Sequence, residues 1–260
     1  MNKKLSIITI NYNNLDGLKR TVKSVLNQTW QEFEHIIIDG GSTDGSAEYI
    51  ESQSDHFDFW VSEKDSGIYN AMNKGIKVAT GEYLLFLNSG DHLFNDEVLD
   101  KNHCFIKEKD LIYFNLQVID CTNTYTKSYP KNLIFSYFLK DTLPHPATFI
   151  RKVLFEKQGL YDESFKIVSD WKFFIESVCK FNVSYVGVEE ILTVFCLDGI
   201  SSKEENLELI KKEKQQILNS VFLAYLDDIS ELNYLKSIIF NLKKSRKFRF
   251  LINIGLIKKI

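Results

Sequence analysis

Hydrophobic and polar positions in the first 90 residues alternate between two periods. Apolar runs at 5–10, 35–38, 57–61 and 83–87 are each too short for a helix and rich in β-branched or aromatic residues, which predicts four strands. Between them Leu15, Leu18, Val22, Val25 and Leu26 recur at helical spacing. So do Ile68, Met72, Ile76 and Ala79, with Gly81 placed to end that helix. A shorter, polar helix is expected over 42–52. Strands alternating with helices in this way predict a parallel, doubly wound sheet covered by helices.

The pattern changes after Asp91. Residues 110–120 and 124–129 read as two strands joined by a turn at 121–123, an antiparallel addition to the sheet. A helix is expected over 169–181. Residues 183–188 and 191–196 then resemble two strands returning to the sheet, before a long polar helix from 204 to about 223. The β pattern stops near 201–205, so the chain divides into an α/β domain over 1–202 and a helical extension over 203–260. No repeat or low-complexity segment interrupts it.

A chain of 260 residues with 44% hydrophobic and 26% charged residues has the balance of a soluble globular protein with one sizeable core. Its net charge of −3 conceals an asymmetry. Lys243, Lys244, Arg246, Lys247, Arg249, Lys258 and Lys259 put +7 on the last twenty residues, which contain no acid, so the first 240 carry −10. Cys104, Cys121, Cys179 and Cys196 lack metal-ligand or disulfide spacing, which fits a reducing cytoplasm. The apolar run after Met1 ends at Asn11 without a cleavage site, so it reads as a strand and not as a signal peptide. No run reaches the roughly 20 apolar residues of a membrane-spanning helix.

In a doubly wound sheet, ligands sit at the carboxyl ends of the parallel strands. Four polar segments fall there: Asn11 to Asn14, Asp39 to Gly45, Glu63 to Asn70, and Asn88 to Asp91. Each alone could be a turn. Asp39-Gly-Gly-Ser42 in isolation reads equally well as a strand-to-helix turn with Ser42 as cap. Their joint placement at one sheet edge points instead to a ligand. The first turn lacks the GxGxxG glycines of a dinucleotide fold, and GxxxxGK[ST] is absent, so neither a dehydrogenase nor a phosphate-loop enzyme fits. A metal carried by an acid after the fourth strand is the natural alternative for holding a diphosphate.

Three ordered motifs carry a resemblance. Ser6-Ile-Ile-Thr-Ile-Asn-Tyr-Asn13, Ile38-Asp-Gly-Gly-Ser-Thr-Asp-Gly-Ser46 and Gly81-Glu-Tyr-Leu-Leu-Phe-Leu-Asn-Ser-Gly-Asp91 resemble the family 2 glycosyltransferases of GT-A fold. The resemblance spans about residues 4–200 and is strongest toward bacterial enzymes of surface polysaccharide synthesis, such as O-antigen, capsule or exopolysaccharide. It implies a Rossmann-like mixed sheet flanked by helices, with the helical extension behind it. It also implies an inverting transfer from a nucleotide diphosphate donor, most simply a UDP-sugar, to a hydroxyl of a saccharide or polyprenyl-diphosphate-linked acceptor.

Carried over residue by residue, the resemblance puts Tyr12 and Asn13 along the base, Asp39 on the base N–H, and Asp65, Gly67, Asn70, Lys74, Asn88 and Ser89 around ribose and phosphate. Asp91 becomes the ligand of Mg²⁺ or Mn²⁺. Many relatives have Asp-Ser-Asp-Asp where this chain has Asn88-Ser-Gly-Asp91, so a metal would rest on one carboxylate, with substrate phosphate oxygens and water completing its shell. Val168-Ser-Asp170-Trp171 resembles the segment that supplies the catalytic base, although Ser169 or Asp170 could also simply cap the helix. His145, Trp171 and Ser201 match positions bordering acceptor or diphosphate. A sugar nucleotidylyltransferase or a catalytically inactive nucleotide-binding partner stays open as an alternative.

The extension interleaves its basic residues with Phe248, Phe250, Leu251, Ile254, Leu256 and Ile257, as a helix lying on an anionic membrane does. Packing in a homodimer stays open for the same segment. The expected location is the cytoplasm, with peripheral contact to the inner face of the membrane through 242–260. No nucleic acid partner is implied.

Overall fold

The computed structural model describes residues 3–107, 109–120, 123–197 and 204–253. The expected turn at 121–123 lies mostly outside them. Ser201 and the end of the basic tail lie outside them altogether.

Strand β1 (Leu5–Asn11) is buried at all seven positions, and its unbroken apolar reading reflects cover on both faces. Helix α1 (Leu15–Leu26) begins where the Asn14 side chain accepts the Gly17 N–H at 3.1 Å, and it turns Leu18, Val22 and Val25 inward. β2 (Phe33–Asp39), α2 (Ser46–Ser52), β3 (Phe59–Ser62), α3 (Ile68–Val78) and β4 (Tyr83–Phe86) follow in the expected alternation. The second helix starts at Ser46 and not at residue 42. The Ser42 N–H and hydroxyl are both spent on Asp39, and Asp44 receives the N–H groups of Ser46 and Leu15 at 3.1 and 2.9 Å.

The second half adds β5 (His92–Leu93), α4 (Val98–Asn102), β6 (Leu111–Ile119), β7 (Thr124–Lys127), α5 (Phe135–Phe138), β8 (Thr148–Arg151), α6 (Val153–Gln158), α7 (Ser169–Cys179) and β9 (Tyr185–Cys196). Among the described residues these strands form one mixed sheet in the order β3-β2-β1-β4-β8-β6-β9-β5, with β7 paired to β6. β1 to β4 are parallel to one another, β8 runs antiparallel between β4 and β6, and β9 is parallel to β6. The hairpin of β6 and β7 matches the expected antiparallel addition.

The second half departs from the sequence pattern at two strands. The separate strands at 183–188 and 191–196 are one strand, β9, whose pairing partner shifts from Phe114 opposite Val188 to Asn115 opposite Ile191. The exposed pair Glu189 and Glu190 forms the irregularity, and Asn115 donates to the Glu189 carbonyl at 2.7 Å to close it. β8 has no counterpart in the sequence pattern, being four residues long and almost wholly buried, so it shows no alternation.

Chain contacts gather into two compact units, Met1–Lys211 and Lys212–Ile260. The boundary falls within α8 (Leu207–Val221), which with a preceding 3₁₀ turn at Glu204–Asn206 forms the expected polar helix. The second unit continues with α9 (Leu223–Lys244) and α10 (Arg246–Asn253). No residue of α9 is buried, although apolar residues occur all around it. Among the described residues no helix is long and apolar enough to cross a membrane.

A polar column runs through the buried sheet. On β1 and β2, Thr9 meets His35 at 3.0 Å and Asn11 meets Asp39 at 2.7 Å. On the opposite face Ser6 donates to Glu34 at 2.6 Å. His35 is 1% exposed with its ring edge on Phe57, and burial drives its pKa down to about 3. The folded protein therefore refuses a proton that the unfolded chain takes near pH 6.5, so stability is lost as pH falls from 6.5 toward about 3. His35→Phe keeps a ring against Phe57 and should remove this component. Urea unfolding should show wild-type stability falling relative to the variant by about 1.4 kcal/mol per pH unit below 6.5. Parallel curves would mean that His35 accepts its proton in the folded state.

Candidate active site

The carboxyl ends of β1, β2 and β3 are locked together by one side chain. Asp39 is fully buried, and its carboxylate accepts from Asn11 Nδ2 at 2.7 Å, the Ser42 hydroxyl at 2.6 Å, the Ser62 hydroxyl at 2.6 Å, and the Ser42 and Gly41 N–H groups at 2.9 and 3.2 Å. Burial opposes ionisation, but the hydrogen bonds from Ser42, Ser62 and Asn11 outweigh it and hold the carboxyl below its ordinary value. The anion is thereby retained inside the fold.

Tyr12, Asn13 and Asp65 gather around this anchor. Asn13, at φ 49°, donates its N–H to the Ser42 hydroxyl at 2.7 Å and accepts the Thr43 N–H at 2.8 Å. Its αL backbone lets the loop after β1 fold onto the loop after β2. Tyr12 is 66% exposed, an unusual state for an aromatic ring beside a buried network. Gly40 separates Tyr12 from Asp65: a Cβ there would stand 2.6 Å from Asp65 Oδ2 and 3.1 Å from Tyr12 Cδ2. An open aromatic face, a carboxylate and a bare backbone thus meet at one sheet edge.

The other residues that the resemblance assigns to the donor sit along the same edge. Asp65 accepts the Gly67 N–H at 3.0 Å, and Gly67, at φ 131°, leads directly into α3. Lys74 is paired with Glu63 at 2.7 Å, which ties α3 back to the end of β3. Asn88 Oδ1 is buried without a protein partner, and the Ser89 carbonyl accepts from Asn14 at 3.0 Å. Asp91 is 6% exposed, and its Oδ1 accepts the Cys196 N–H at 3.3 Å, joining this turn to the end of β9. Arg20 and His92 also reach Gly90, through its carbonyl.

No cluster of three His, Cys, Asp or Glu side chains suited to a metal occurs among the described residues. Asp91 is the single acid of its turn. The residues present therefore fit a hard divalent cation only as one carboxylate beside substrate oxygens, and not as a preformed protein cage.

A second cluster surrounds Asp170, the second residue of α7. Tyr69 places its hydroxyl 2.8 Å from Asp170 Oδ1 and 2.5 Å from the Ile167 carbonyl. Burial, and then the Asp170 charge, raise the Tyr69 phenol well above its ordinary value, and both act in the same direction on Tyr161. His145 is 8% exposed and stacks on Phe86 at 4.9 Å. Burial lowers its pKa while Asp170 opposes the shift, so the ring is neutral, and its Nε2 has no protein partner. The Tyr161 hydroxyl is likewise buried and unpartnered. A carboxylate, a neutral imidazole and two phenols thus share one largely dry region.

Helix α3 joins the two clusters. Asn73, 2% exposed, donates to the Tyr161 carbonyl at 2.9 Å and to Glu163 at 2.8 Å, and accepts the Tyr161 N–H at 3.0 Å. Asn70 donates to the other Glu163 oxygen at 2.9 Å, and these two amides hold the Glu163 carboxyl below its ordinary value. A groove of about 370 Å³ opens beside them, with Ser66, Tyr69, Asn70, Glu163, Lys166 and Leu209 among its walls. Trp171 does not line it. That side chain is 2% exposed and its Nε1 donates to the Phe138 carbonyl, so it packs α7 onto the core. Tyr69 and Asn73 are not distinguished by the sequence pattern, in which the apolar stripe of α3 dominates. Their signal was the polar set 69, 70 and 73 on the helix, at spacings of one, three and four.

Comparison with known proteins agrees with this architecture. The chain is 35% identical over 208 residues to an uncharacterized glycosyltransferase of Mycobacterium tuberculosis, covering 77% of this chain and 78% of that one. It is 30% identical over 174 residues to a PGL/p-HBAD biosynthesis glycosyltransferase of Mycobacterium bovis, covering 65% and 67%. Among solved structures it matches S. aureus TarS 1-349 in complex with UDP-GlcNAc at a TM-score of 0.66 and 20% identity, over 83% of this chain and 67% of that one. In the UDP complex of the same TarS fragment the chain spans 60% of the solved length. A more distant match, at a TM-score of 0.56 and 13% identity over 76% and 58% of the two chains, is the Pyrobaculum calidifontis mannosyltransferase PcManGT with GDP-Man and Mn²⁺. These likenesses agree with the GT-A fold of a mixed sheet flanked by helices. Residues 6–157 match the family described as Glycosyl transferase family 2, and the chain belongs to that family of transferase enzymes.

Proposed function

We propose that residues 1–202 form a catalytic domain that moves a sugar from a UDP-sugar to a hydroxyl of a saccharide or polyprenyl-diphosphate-linked acceptor, with inversion, in bacterial surface polysaccharide synthesis. The observation that carries this reading is that α3 reaches both clusters: its entry residue Asp65 stands against the Tyr12 and Gly40 turn, while its Tyr69 holds Asp170. The donor turn and the base on α7 are thereby both braced by one helix, α3. Tyr12 stacks on the base, the Asp39 network presents the turn that reads its edge, and Asn13, Asp65, Gly67, Asn70, Lys74, Asn88 and Ser89 border ribose and phosphates. The UDP-GlcNAc bound by TarS supports the choice of nucleotide.

In the transfer step the acceptor O–H bond breaks and its electron pair forms the new bond to the anomeric carbon. The bond to the UDP oxygen breaks with its electrons, and Asp170 keeps the acceptor proton. Approach from the face opposite the leaving group gives inversion. A divalent cation, Mg²⁺ or Mn²⁺, would be held by Asp91 and would offset charge on the leaving diphosphate. The groove beside Tyr69 and Ile167 seats the acceptor, with His145 lying on the reacting side. Residues 242–260, where Arg246, Lys247 and Arg249 alternate with Phe248 and Phe250, hold the protein at an anionic membrane surface.

Nucleotide release from a panel of UDP-, GDP- and dTDP-sugars, with and without Mn²⁺, tests the reading directly. UDP should raise the melting temperature more than GDP or ADP, and equal shifts from all three would remove the uracil assignment. Asp91→Asn should depress metal-dependent donor binding and turnover together. Asp170→Asn keeps a helix-capping side chain but cannot take a proton, so UDP binding should persist while transfer falls about 10² to 10⁴-fold.

Asp39→Asn should act on the fold as well as on the ligand. An amide NH₂ would face hydroxyl and N–H donors, costing about 1 to 3 kcal/mol in urea unfolding, and UDP affinity should fall with it. Unchanged stability in that variant would mean that the turn does not depend on the anion.

A further inference from the structure

We infer that Tyr69 is a positioning residue for Asp170, a single hydroxyl placed to bond the carboxyl group in both of its protonation states. The inference rests on the assignment of Asp170 as the base. Its geometric ground is the pair of contacts made by one phenol oxygen, 2.5 Å from the Ile167 carbonyl and 2.8 Å from Asp170 Oδ1. A phenol has one hydrogen to donate and lone pairs to accept with, whereas a backbone carbonyl can only accept. That one hydrogen cannot lie along both lines.

The proton inventory follows from this. With Asp170 ionised, the Asp170 N–H is directed at the phenol oxygen, and of the two acceptors open to the phenol hydrogen the charged one forms the stronger bond, so the hydrogen is drawn toward Asp170. With Asp170 protonated on Oδ1, the carboxyl group donates to the phenol oxygen and the phenol donates to Ile167, and every hydrogen has an acceptor. No atom need move by more than a rotation about the phenol C–O bond. The bond to the ionised form is charge-assisted and the bond to the neutral form is not, so the net effect of Tyr69 favours the carboxylate.

The surroundings give this bond its weight. The groups that face Asp170 are Tyr69 from α3, His145 from the 3₁₀ turn before β8, and Tyr161 from the segment before α7. His145 is neutral and its Nε2 is unpartnered, and the Tyr161 hydroxyl is unpartnered too. Neither brings a positive charge to the carboxylate. The start of α7 adds the favourable end of a helix dipole, and Tyr69 supplies a directed hydrogen bond. Tyr69 therefore donates to Asp170 before the transfer and accepts a bond from it afterwards, when the acceptor proton has been taken up.

Substrate-free titration tests this. Full-length protein labelled with ¹³C at the Asp carboxyl carbon has one resonance that is absent from Asp170→Asn, and its midpoint with pH reports Asp170. Tyr69→Phe keeps the ring against Tyr161 but removes the hydroxyl, and the midpoint should rise by about one pH unit, a tenfold change in proton affinity. A fluorinated tyrosine at position 69, a stronger donor, should lower it, and this second variant decides the matter if the Phe form does not fold. A midpoint unmoved by either change overturns the inference. UDP release from UDP-GlcNAc, or from whichever sugar nucleotide the wild type uses, separates the two assignments. If Asp170→Asn is as active as wild type, the base assignment fails and Tyr69 loses its role with it. If Asp170→Asn is inactive while the Tyr69 variants titrate normally, the inference about Tyr69 fails alone.

Discussion

An ionised carboxylate inside a protein is tolerated only when its lone pairs are filled, and the carboxyl edge of β1, β2 and β3 is organised by that requirement at Asp39. Removing such a group from water costs several kcal/mol even after relaxation. Five donors from β1, the loop after β2 and the end of β3 offset the loss. Because they come from three segments, satisfying one anion sets the relative positions of three strand ends. The Tyr12 and Asn13 turn is held through Ser42 as a consequence. Local turn preference alone would leave these loops free to move independently.

The second dependence is on close approach. Gly75 lets α3 lie against β1, for a Cβ there would stand 2.5 Å from the Ile8 side chain. With that helix so near the sheet, Tyr69 and Asn73 reach the segment before α7. The bonds they make span 88 to 101 residues of sequence. A single helix therefore ties the Asp65 turn beside Gly40 to Asp170, which Tyr69 holds. A small shift in its packing would disturb both together.

Polarity is distributed unevenly between the two clusters. Around Asp39 both carboxylate oxygens are filled, while the Oδ1 of Asn11 beside them is buried without a protein partner. Around Asp170 the Nε2 of His145 and the hydroxyl of Tyr161 have no protein partner, although both are buried. An unsatisfied buried polar group costs about 1 to 3 kcal/mol. Natural folds keep few of them outside places where something else binds. The filled Asp39 carboxylate shapes its edge of the sheet, and each cluster keeps buried polar atoms that a further polar group could satisfy.

The first four strands, α1, α3 and the start of α7 were legible in sequence because short-range periodicity dictates them: Ile and Val runs suit a strand covered on both faces, and Leu15 to Leu26 repeats at helical spacing. The polar residues after each strand were legible for a related reason, since a parallel sheet always exposes its carboxyl edge. Family motifs added Asp170, which no periodicity could have marked. What sequence left undetermined is whatever depends on partners far along the chain. β8 carries no alternation because both its faces are buried, and β9 looked like two strands because Glu189 and Glu190 interrupt its pattern without ending it. Trp171 could be placed beside a substrate or in the core until its indole was seen donating to Phe138. Tyr69 and Asn73 read as ordinary helix residues, and only the packing of α3 against residues 161–170 brought Tyr69 to Asp170 and Asn73 to Tyr161 and Glu163, because a side chain's local sequence sets its conformation while its chemical partners are set by the fold.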